Sequence, residues 1–439
     1  MEYERTPAID DRQNDLYEKI ASGEFADGPN GRIAFAVSTT AVSEGRGDLF
    51  VALGLAKYLS RAGWGVRLWP MAQWGTDVDD DVDVVISMLE SFVPGLMRPE
   101  TARIAWVRNW TDSWVSLPFL DQFDAIWSSS EASAQKLSEA SGRPVSVVPI
   151  AADAELFTDV DGPIDMTVVS TVNHWGNARQ VHSVITEVAA RVDVSLFGEQ
   201  GKGSEVHHAV HAGRISYFGL PDVYHRSLVV LDDLIDQAKA YGNQNSRLFE
   251  SIAAGAVPIT NVRDGLDELG LSAVPSYRTA TDLIETVNGF TGDRQRYEQV
   301  LEELRAVVRE RHTFEIRAAE AEPLIHAAIA ESVARDGRPD LLGPLARERA
   351  TQIYTSTISD LRQAELDRRA DRITELEDRL ETAEQRVDRL NGALVDVSAR
   401  LAAYENRKLV RIEAGVRKSV HLTSRFPGRV RSTLSRWSR

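Results

Sequence analysis

The stretch Asn245-Ser-Arg-Leu-Phe-Glu-Ser-Ile-Ala-Ala-Gly-Ala-Val-Pro-Ile-Thr260 carries the pattern that decides the fold. A polar start is followed by apolar side chains three and four residues apart, which predicts an amphipathic helix. Gly255 is a typical residue for ending such a helix. Residues 257–260 then form a short apolar run that indicates a buried strand. The stretch therefore predicts a helix–strand unit of an α/β protein.

Two charged residues of this helix are candidates for a binding site. Arg247 and Glu250 are three residues apart, so they are able to share one face of the helix. The predicted strand places them near a sheet edge of the kind where α/β proteins bind nucleotides. The same spacing is equally typical of an ion pair on a helix surface. Asn245, which opens the helix, is either part of the site or a plain N-cap.

Alternating strands and helices extend on both sides of this unit. The first half has predicted strands at residues 32–38, 65–69, 82–88, 103–107, 125–128 and 145–149, with a helix from Asp48 to about Ala62. The second half has a helix at 178–190 and predicted strands at 165–170, 192–198, 214–218, 228–231 and 257–260. This order predicts two largely parallel sheets with right-handed crossovers. Residues 151–163 read as the linker, and helical residues 294–335 are expected to pack back toward the first half.

Heptad spacing dominates the chain after residue 358. Apolar residues recur at the first and fourth heptad positions from Leu366 to Tyr404, with Arg369 as the exception, which predicts an oligomerising coiled coil. Residues 406–439 contain ten basic side chains and one acidic one among spaced apolar residues. They predict a basic amphipathic tail for an anionic membrane surface; the alternatives are a disordered basic tail and a docking site for another protein. The predicted organisation is a polar N-terminal segment (1–30), two α/β domains (31–155 and 164–335), a coiled coil (359–405) and the tail (406–439).

Composition and charge exclude several classes of protein. The chain has 439 residues and no cysteine, which excludes disulfides and thiolate chemistry and favours a cytoplasmic location. The net charge is −16, and because residues 406–439 carry +9, residues 1–405 carry −25. An acidic body is untypical of a nucleic-acid enzyme, whose contact face should be positive.

Several segments, taken in order, resemble a known enzyme family. They are Gly47–Leu59, Ile104–Trp114, Phe123–Glu131, Val148–Asp153, Tyr217–Tyr224, Asn245–Thr260, Asp264–Leu266 and His312–Arg317. Over residues 31–325 the chain is similar to GT-B glycosyltransferases of family 4, and more closely to the CgeB-like (spore-maturation-type) branch. The resemblance implies two Rossmann-like domains facing a cleft. It also implies a retaining, metal-independent hexosyl transfer from a nucleotide-diphosphate sugar, without a further cofactor.

The resemblance also implies roles for individual residues. Glu250 matches the glutamate that holds the nucleotide ribose. Arg247 and the turn at Gly265 are candidates for the leaving diphosphate, since a guanidinium and backbone amides stabilise that charge. Arg179 is the other available cation.

Two further residues are candidates for the acceptor side and the reacting centre. Asp48 follows a glycine-rich loop and is either an acceptor contact or an N-cap. His174 follows a strand and either lines the cleft or is an ordinary loop histidine.

The chain departs from the family pattern at two places. The broader family has a second glutamate eight residues before the ribose-binding one, where this chain has Gly242. No Arg/Lys pair follows the strand at residues 165–170. These departures favour a non-catalytic GT-B module that acts as a coiled-coil scaffold, whereas the intact helix at residues 245–260 favours an enzyme.

Metal-binding patterns are present but weak. Asp77-Val-Asp79 and Asp81-Val-Asp83 are DxD triplets, which we interpret as the solvated entry to a strand. His207 and His211 are four residues apart without a third ligand nearby in sequence. The sequence therefore predicts no metal site.

The sequence as a whole predicts a sugar transferase that acts on a surface-glycan or lipid-linked acceptor. We expect it in the cytoplasm, or held peripherally at the inner face of the cell membrane as a homo-oligomer. A glycosyltransferase that modifies proteins is the alternative that the sequence leaves open.

Overall fold

The computed structural model describes residues 11–74, 81–94, 98, 100–158, 162–171, 180–198, 211–335 and separate residues between 348 and 399. The chain divides into two compact units, Met1–Thr357 and Ile358–Arg439. All strands described below belong to the first unit.

The first half of this unit is a parallel sheet with helices on its faces. Its elements are α1 (Asp11–Ser22), β1 (Arg32–Val37), α2 (Gly47–Arg61), β2 (Gly65–Pro70), β3 (Val84–Ser87), β4 (Ala102–Val107), α3 (Thr111–Val115), β5 (Ala125–Ser128), α4 (Glu131–Ser141) and β6 (Val145–Val147). Six strands pair in parallel in the order β2-β1-β3-β4-β5-β6. The central strands β3 and β4 are buried along their whole length, and apart from Ser87 and Arg103 their residues are apolar.

The second half repeats this architecture. Its elements are β7 (Met166–Ser170), α5 (Gln180–Ala189), β8 (Val194–Phe197), β9 (His211–Gly213), α6 (Leu220–His225), β10 (Ser227–Asp232), α7 (Asp236–Lys239), α8 (Ser246–Ala254), β11 (Val257–Thr260), α9 (Ala280–Gly292), α10 (Arg294–Arg311) and α11 (Phe314–Arg335). Five strands pair in parallel in the order β11-β10-β7-β8-β9. The predicted helix–strand unit is α8 and β11, and Gly255 ends α8 with a φ of 99°.

One predicted strand is wrong. Residues 214–218 were expected to be extended, but the strand is β9, just before them, and Tyr217–Gly219 is a 3₁₀ turn leading into α6. The alternating apolar pattern has another cause. The Tyr217 ring stacks on Phe50 of the first half, with centroids 3.7 Å apart, so its burial serves a contact between the halves.

The last helix returns to the first half, as expected. α11 packs on α2, where the Phe314 ring lies directly over Gly54. Further along, Ser332 Oγ donates to the carbonyl oxygen of Glu100 at 2.9 Å. The return of α11 therefore binds the two halves together.

The N-terminal segment contributes more than the sequence indicated. Residues 1–30 were predicted to be a polar extension, yet α1 within them buries Tyr17 and Ile20 completely. The Tyr17 hydroxyl donates to the linker residue Asp153 at 2.8 Å. Because its apolar residues are few, α1 shows little of the pattern by which a core helix is recognised.

The predicted coiled coil (359–405) lies largely outside the described residues, and the tail (406–439) lies entirely outside them. Both stay predictions. No helix in the described part of the chain is long and apolar enough to span a membrane.

Candidate functional site

A cavity of about 480 Å³ opens between the two sheets. Its lining comes from segments at the carboxyl ends of strands in both halves: residues 45–48, 88–90 and 108–110 on one side, and Thr171 with residues 243–247 on the other. This is the edge at which open parallel sheets bind ligands.

Glu250 lies on the cavity wall and is almost completely buried, with 4% exposure. The Tyr217 hydroxyl donates to its Oε1 at 2.9 Å. Burial raises the pKa of Glu250 to about 7, while hydrogen bonds from Tyr217 and Ser246 and the charge of Arg247 oppose this rise. The carboxyl group therefore changes its charge near neutral pH.

Arg247 is partly buried, with 16% of its side chain exposed, and joins the ends of two strands. Its Nε donates to Thr171 Oγ1 at 3.0 Å and its Nη2 to the Thr171 carbonyl oxygen at 3.3 Å. Its Nη1 donates to Asp232 Oδ1 at 3.2 Å, and Asp232 is fully buried. The described contacts pair Arg247 with the fully buried Asp232 and not with Glu250, so Arg247 forms a structural ion pair between two segments rather than one along the helix surface.

Asn245 occupies the N-cap position of α8 without capping the helix through its side chain. Its Nδ2 instead donates to Asp232 Oδ1 at 3.1 Å. Asn245 is therefore the N-cap residue by position, as one alternative had it, but its side chain serves Asp232 and not the helix start. Because the first amides of a helix have no partner within the helix, the uncapped start of α8 beside the cavity is suited to bind an anion.

Asp48 lies on the opposite wall, near the start of α2. Arg46 occupies the N-cap position of that helix, so the N-cap interpretation of Asp48 is wrong. Its carboxylate accepts from the Ser38 amide at 2.6 Å and from Ser38 Oγ at 2.8 Å, which fixes it at the carboxyl end of β1.

Arg108 lies near Asp48 on the same wall. Its Nε is buried without a hydrogen-bond partner among the described residues. Burial lowers the pKa of this guanidinium, while the charges of Asp48 and Glu90 oppose that shift. This wall therefore holds acids and a cation close together.

Gly265 does not line the cavity within the described structure. Its backbone lies directly against Gly242: a Cβ on Gly265 would be 2.1 Å from the Gly242 carbonyl oxygen, and a Cβ on Gly242 would be 2.8 Å from Asp264 C. Gly242 also has a φ of 65°. The position where the resembled family has a glutamate therefore has no room for a side chain.

The structure brings Asp48, Asn245, Arg247 and Glu250 together on one cavity, whereas His174 and Arg179 lie outside the described residues. The binding and catalytic roles of all six residues stay predictions.

The sequence analysis did not identify several side chains that line the cavity or lie next to it, namely Arg108, Tyr217, Asp232 and Gln244. Asp232 had one usable signal, because it directly follows an apolar strand.

The metal patterns acquire no support from the described residues. Asp81 forms an ion pair with Arg32, and Asp83 Oδ2 accepts from the Arg32 amide at 2.7 Å. Asp77 and Asp79, the whole of His207 and the side chain of His211 lie outside the described structure. Across the described part of the chain, no group of three His, Asp or Glu side chains could hold a metal ion.

Comparison with known proteins finds a family model and solved structures to which this chain is similar. A family model described as "Glycosyl transferase-like" matches residues 179–322, and no curated protein matches the sequence. Among solved structures, Anabaena Alr3699/HepE in complex with UDP-glucose is 12% identical, covers 69% of this chain and 99% of its own, and has a TM-score of 0.52. T4 phage BGT in complex with UDP and Mn²⁺ is also 12% identical, covers 68% and 99%, and has a TM-score of 0.45.

These findings bear on the fold more than on the chemistry. The TM-score of 0.52 to the Anabaena protein shows a shared architecture, while the identity of 12% is too low to indicate a shared activity. The family match adds a sequence similarity that is confined to the second half. Two parallel sheets with a cavity between their carboxyl edges are the arrangement that the sequence predicted. The first unit of this chain therefore has the GT-B fold.

Proposed function

We propose that the chain is a glycosyltransferase that takes a sugar from a nucleotide-diphosphate sugar. The observation that carries the proposal is the position of the buried Glu250 and the partly buried Arg247 beside the uncapped start of α8, on a cavity shared by both halves. The match to a glycosyl transferase-like family model spans this helix. Anabaena HepE, which shares the fold, is a protein solved with UDP-glucose bound.

The donor half supplies groups for each part of such a ligand. Ionised Glu250 accepts hydrogen bonds from ribose hydroxyls. The first amides of α8 face the diphosphate, and the helix dipole stabilises its charge. Arg247 adds a guanidinium that lines the cavity and reaches the phosphate oxygens while it keeps its bonds to Thr171 and Asp232. In this proposal the leaving diphosphate is stabilised without a metal ion.

The first half holds the acceptor. Asp48 faces the cavity from a fixed position, so it orients an acceptor hydroxyl toward the donor sugar. In the resembled family the transfer retains the anomeric configuration, and the acceptor is a surface glycan or a lipid-linked sugar. We carry both to this chain, together with the CgeB-like branch, as parts of the proposal.

The pH dependence of donor binding tests the role of Glu250. Ribose hydroxyls donate to the ionised carboxylate, so UDP-glucose affinity should fall as pH drops below about 7, approaching about tenfold per pH unit. The diphosphate diester of this ligand does not titrate in that range. Calorimetry from about pH 5.5 to about pH 8.5 measures the effect.

Glu250→Gln is the matched variant for this experiment. It cannot ionise, so its affinity should be nearly independent of pH and lower than that of the wild type at about pH 8 by roughly 1–3 kcal/mol. An unchanged affinity and pH profile in a folded variant would remove Glu250 from the site. If UDP-glucose does not bind at all, GDP-, dTDP- and CMP-sugars follow in a thermal-shift screen.

The non-catalytic alternative rests on Gly242, where no side chain fits. A scaffold protein would bind a nucleotide sugar weakly or not at all, and would release no sugar from it over long incubation. Hydrolysis or transfer that depends on Glu250 and Asp48 would exclude this alternative. Transfer to a protein rather than to a glycan would establish the protein-modifying alternative.

The second unit is proposed to oligomerise the enzyme and hold it at a membrane. Removing residues 358–439 should convert an oligomer into a monomer in light scattering. The reason is that most first and fourth heptad positions of that region are apolar and pair between helices. The same truncation should abolish sedimentation with anionic vesicles, which ten basic residues favour. A monomeric full-length protein, or equal binding to neutral vesicles, would contradict the corresponding role.

A further inference from the structure

Gln244 is a buried carboxamide on the cavity wall with one half of its hydrogen-bonding capacity unused. The residue is 4% exposed, and its Nε2 donates to the carbonyl oxygen of Asp264 at 2.8 Å. Its Oε1 is buried and has no partner among the described residues. Buried polar atoms are almost always hydrogen-bonded, so an acceptor left open beside a cavity indicates a ligand.

The hydrogen bond to Asp264 fixes the orientation of the Gln244 amide group. Because a carbonyl oxygen only accepts, the atom facing Asp264 must be the nitrogen. The remaining atom is therefore an acceptor, and the group that meets it must be a hydroxyl or an N–H. A phosphate or carboxylate oxygen carries no proton to donate and is disfavoured there.

The position of Gln244 along the proposed donor selects between these groups. Glu250 lies one turn inside α8, whereas Gln244 precedes its first residue. A nucleotide-diphosphate sugar has its ribose, its two phosphates and its sugar in that covalent order. With the ribose at Glu250 and the diphosphate at the start of α8, the sugar comes next, on the side of Gln244.

We propose that Gln244 Oε1 accepts a hydrogen bond from a hydroxyl of the transferred sugar and so selects the donor. This inference rests on the proposed function, since it uses the donor orientation given there. The hydrogen bond to Asp264 holds the carboxamide in place, and the Gly242–Gly265 backbone contact supports the same loop. Gln244 thus provides a sugar contact in a loop where residue 242 has no side chain.

The test compares UDP with UDP-glucose in Gln244→Met, which keeps the length and apolar volume of the side chain and removes the acceptor. The UDP-glucose affinity should fall about 3- to 10-fold, the value of one lost neutral hydrogen bond, while the UDP affinity stays unchanged. A structural role would weaken both ligands alike. Gln180→Met is the control, because Gln180 donates to the Arg278 carbonyl oxygen in the same half but does not line the cavity.

The outcomes separate this inference from the proposed function. Equal losses for UDP and UDP-glucose, or no loss for either, would overturn the sugar contact while leaving nucleotide binding intact. A wild-type protein that binds neither of them, nor any other nucleotide or nucleotide sugar in the thermal-shift screen, would overturn both. Selective loss for the sugar-bearing ligand supports the inference, and deoxy-sugar donors then identify the hydroxyl.

Discussion

Replacing Asp153 with alanine should lower the free energy of unfolding by about 3–5 kcal/mol, the cost of breaking a buried ion pair by removing one partner. Asp153 is fully buried, and Lys57, 1% exposed, donates to both of its oxygens at 2.7 and 2.9 Å. The hydroxyls of Tyr17 and Tyr58 donate to the same carboxylate. The variant would remove the acceptor of two buried hydroxyls and leave the Lys57 ammonium with Gln13 and the half-exposed Glu155 only.

Urea unfolding followed by tryptophan fluorescence measures this loss. Asp15→Ala is the control, since Asp15 pairs with Lys19 on the exposed face of α1 and its removal should change stability by no more than about 1 kcal/mol. Because Asp153 is in the linker, the loss should appear as a lower midpoint for the whole first unit. Equal stabilities of the two variants would show that the buried pair contributes little.

The fold was predictable where local pattern and burial agree. β5 matches its predicted bounds, and β1 and β2 differ from theirs by one residue, because buried strands are short apolar runs between turn residues. The predicted strand at residues 214–218 was wrong because Tyr217 is buried by its stacking on Phe50 and not by a position in a sheet. Contacts between residues far apart in sequence leave no local period, so single-sequence patterns do not report them.

The site was predictable only along one helix. Arg247 and Glu250 were identified because a helix fixes their relative positions, and the structure places both at the cavity. Their partners Thr171, Asp232 and Tyr217 come from three other segments. Gln244 was missed because its role follows from its hydrogen bond to the Asp264 carbonyl oxygen, which uses the amide nitrogen and leaves the amide oxygen unbonded. Only side-chain geometry supplies that detail.

Replacing Arg247 with methionine should destabilise the first unit by about 3–5 kcal/mol and also abolish donor binding. The stability loss arises because Asp232 remains fully buried as a charged group without its cation. Asp232→Asn in the same chain removes that charge, so the double variant should regain a large part of the lost stability. Urea unfolding of the four proteins gives the coupling between the two residues.

Donor binding in the double variant then decides between two roles for Arg247. If the guanidinium only balances Asp232, restored folding should restore UDP-glucose affinity as well. If it also contacts the diphosphate, affinity should stay low by roughly 1.5–3 kcal/mol, the value of a hydrogen bond to a charged group. We expect the second result, because Arg247 lines the cavity beside the uncapped start of α8. If the double variant recovers both its stability and its full affinity for UDP-glucose, the helix amides alone bind the diphosphate.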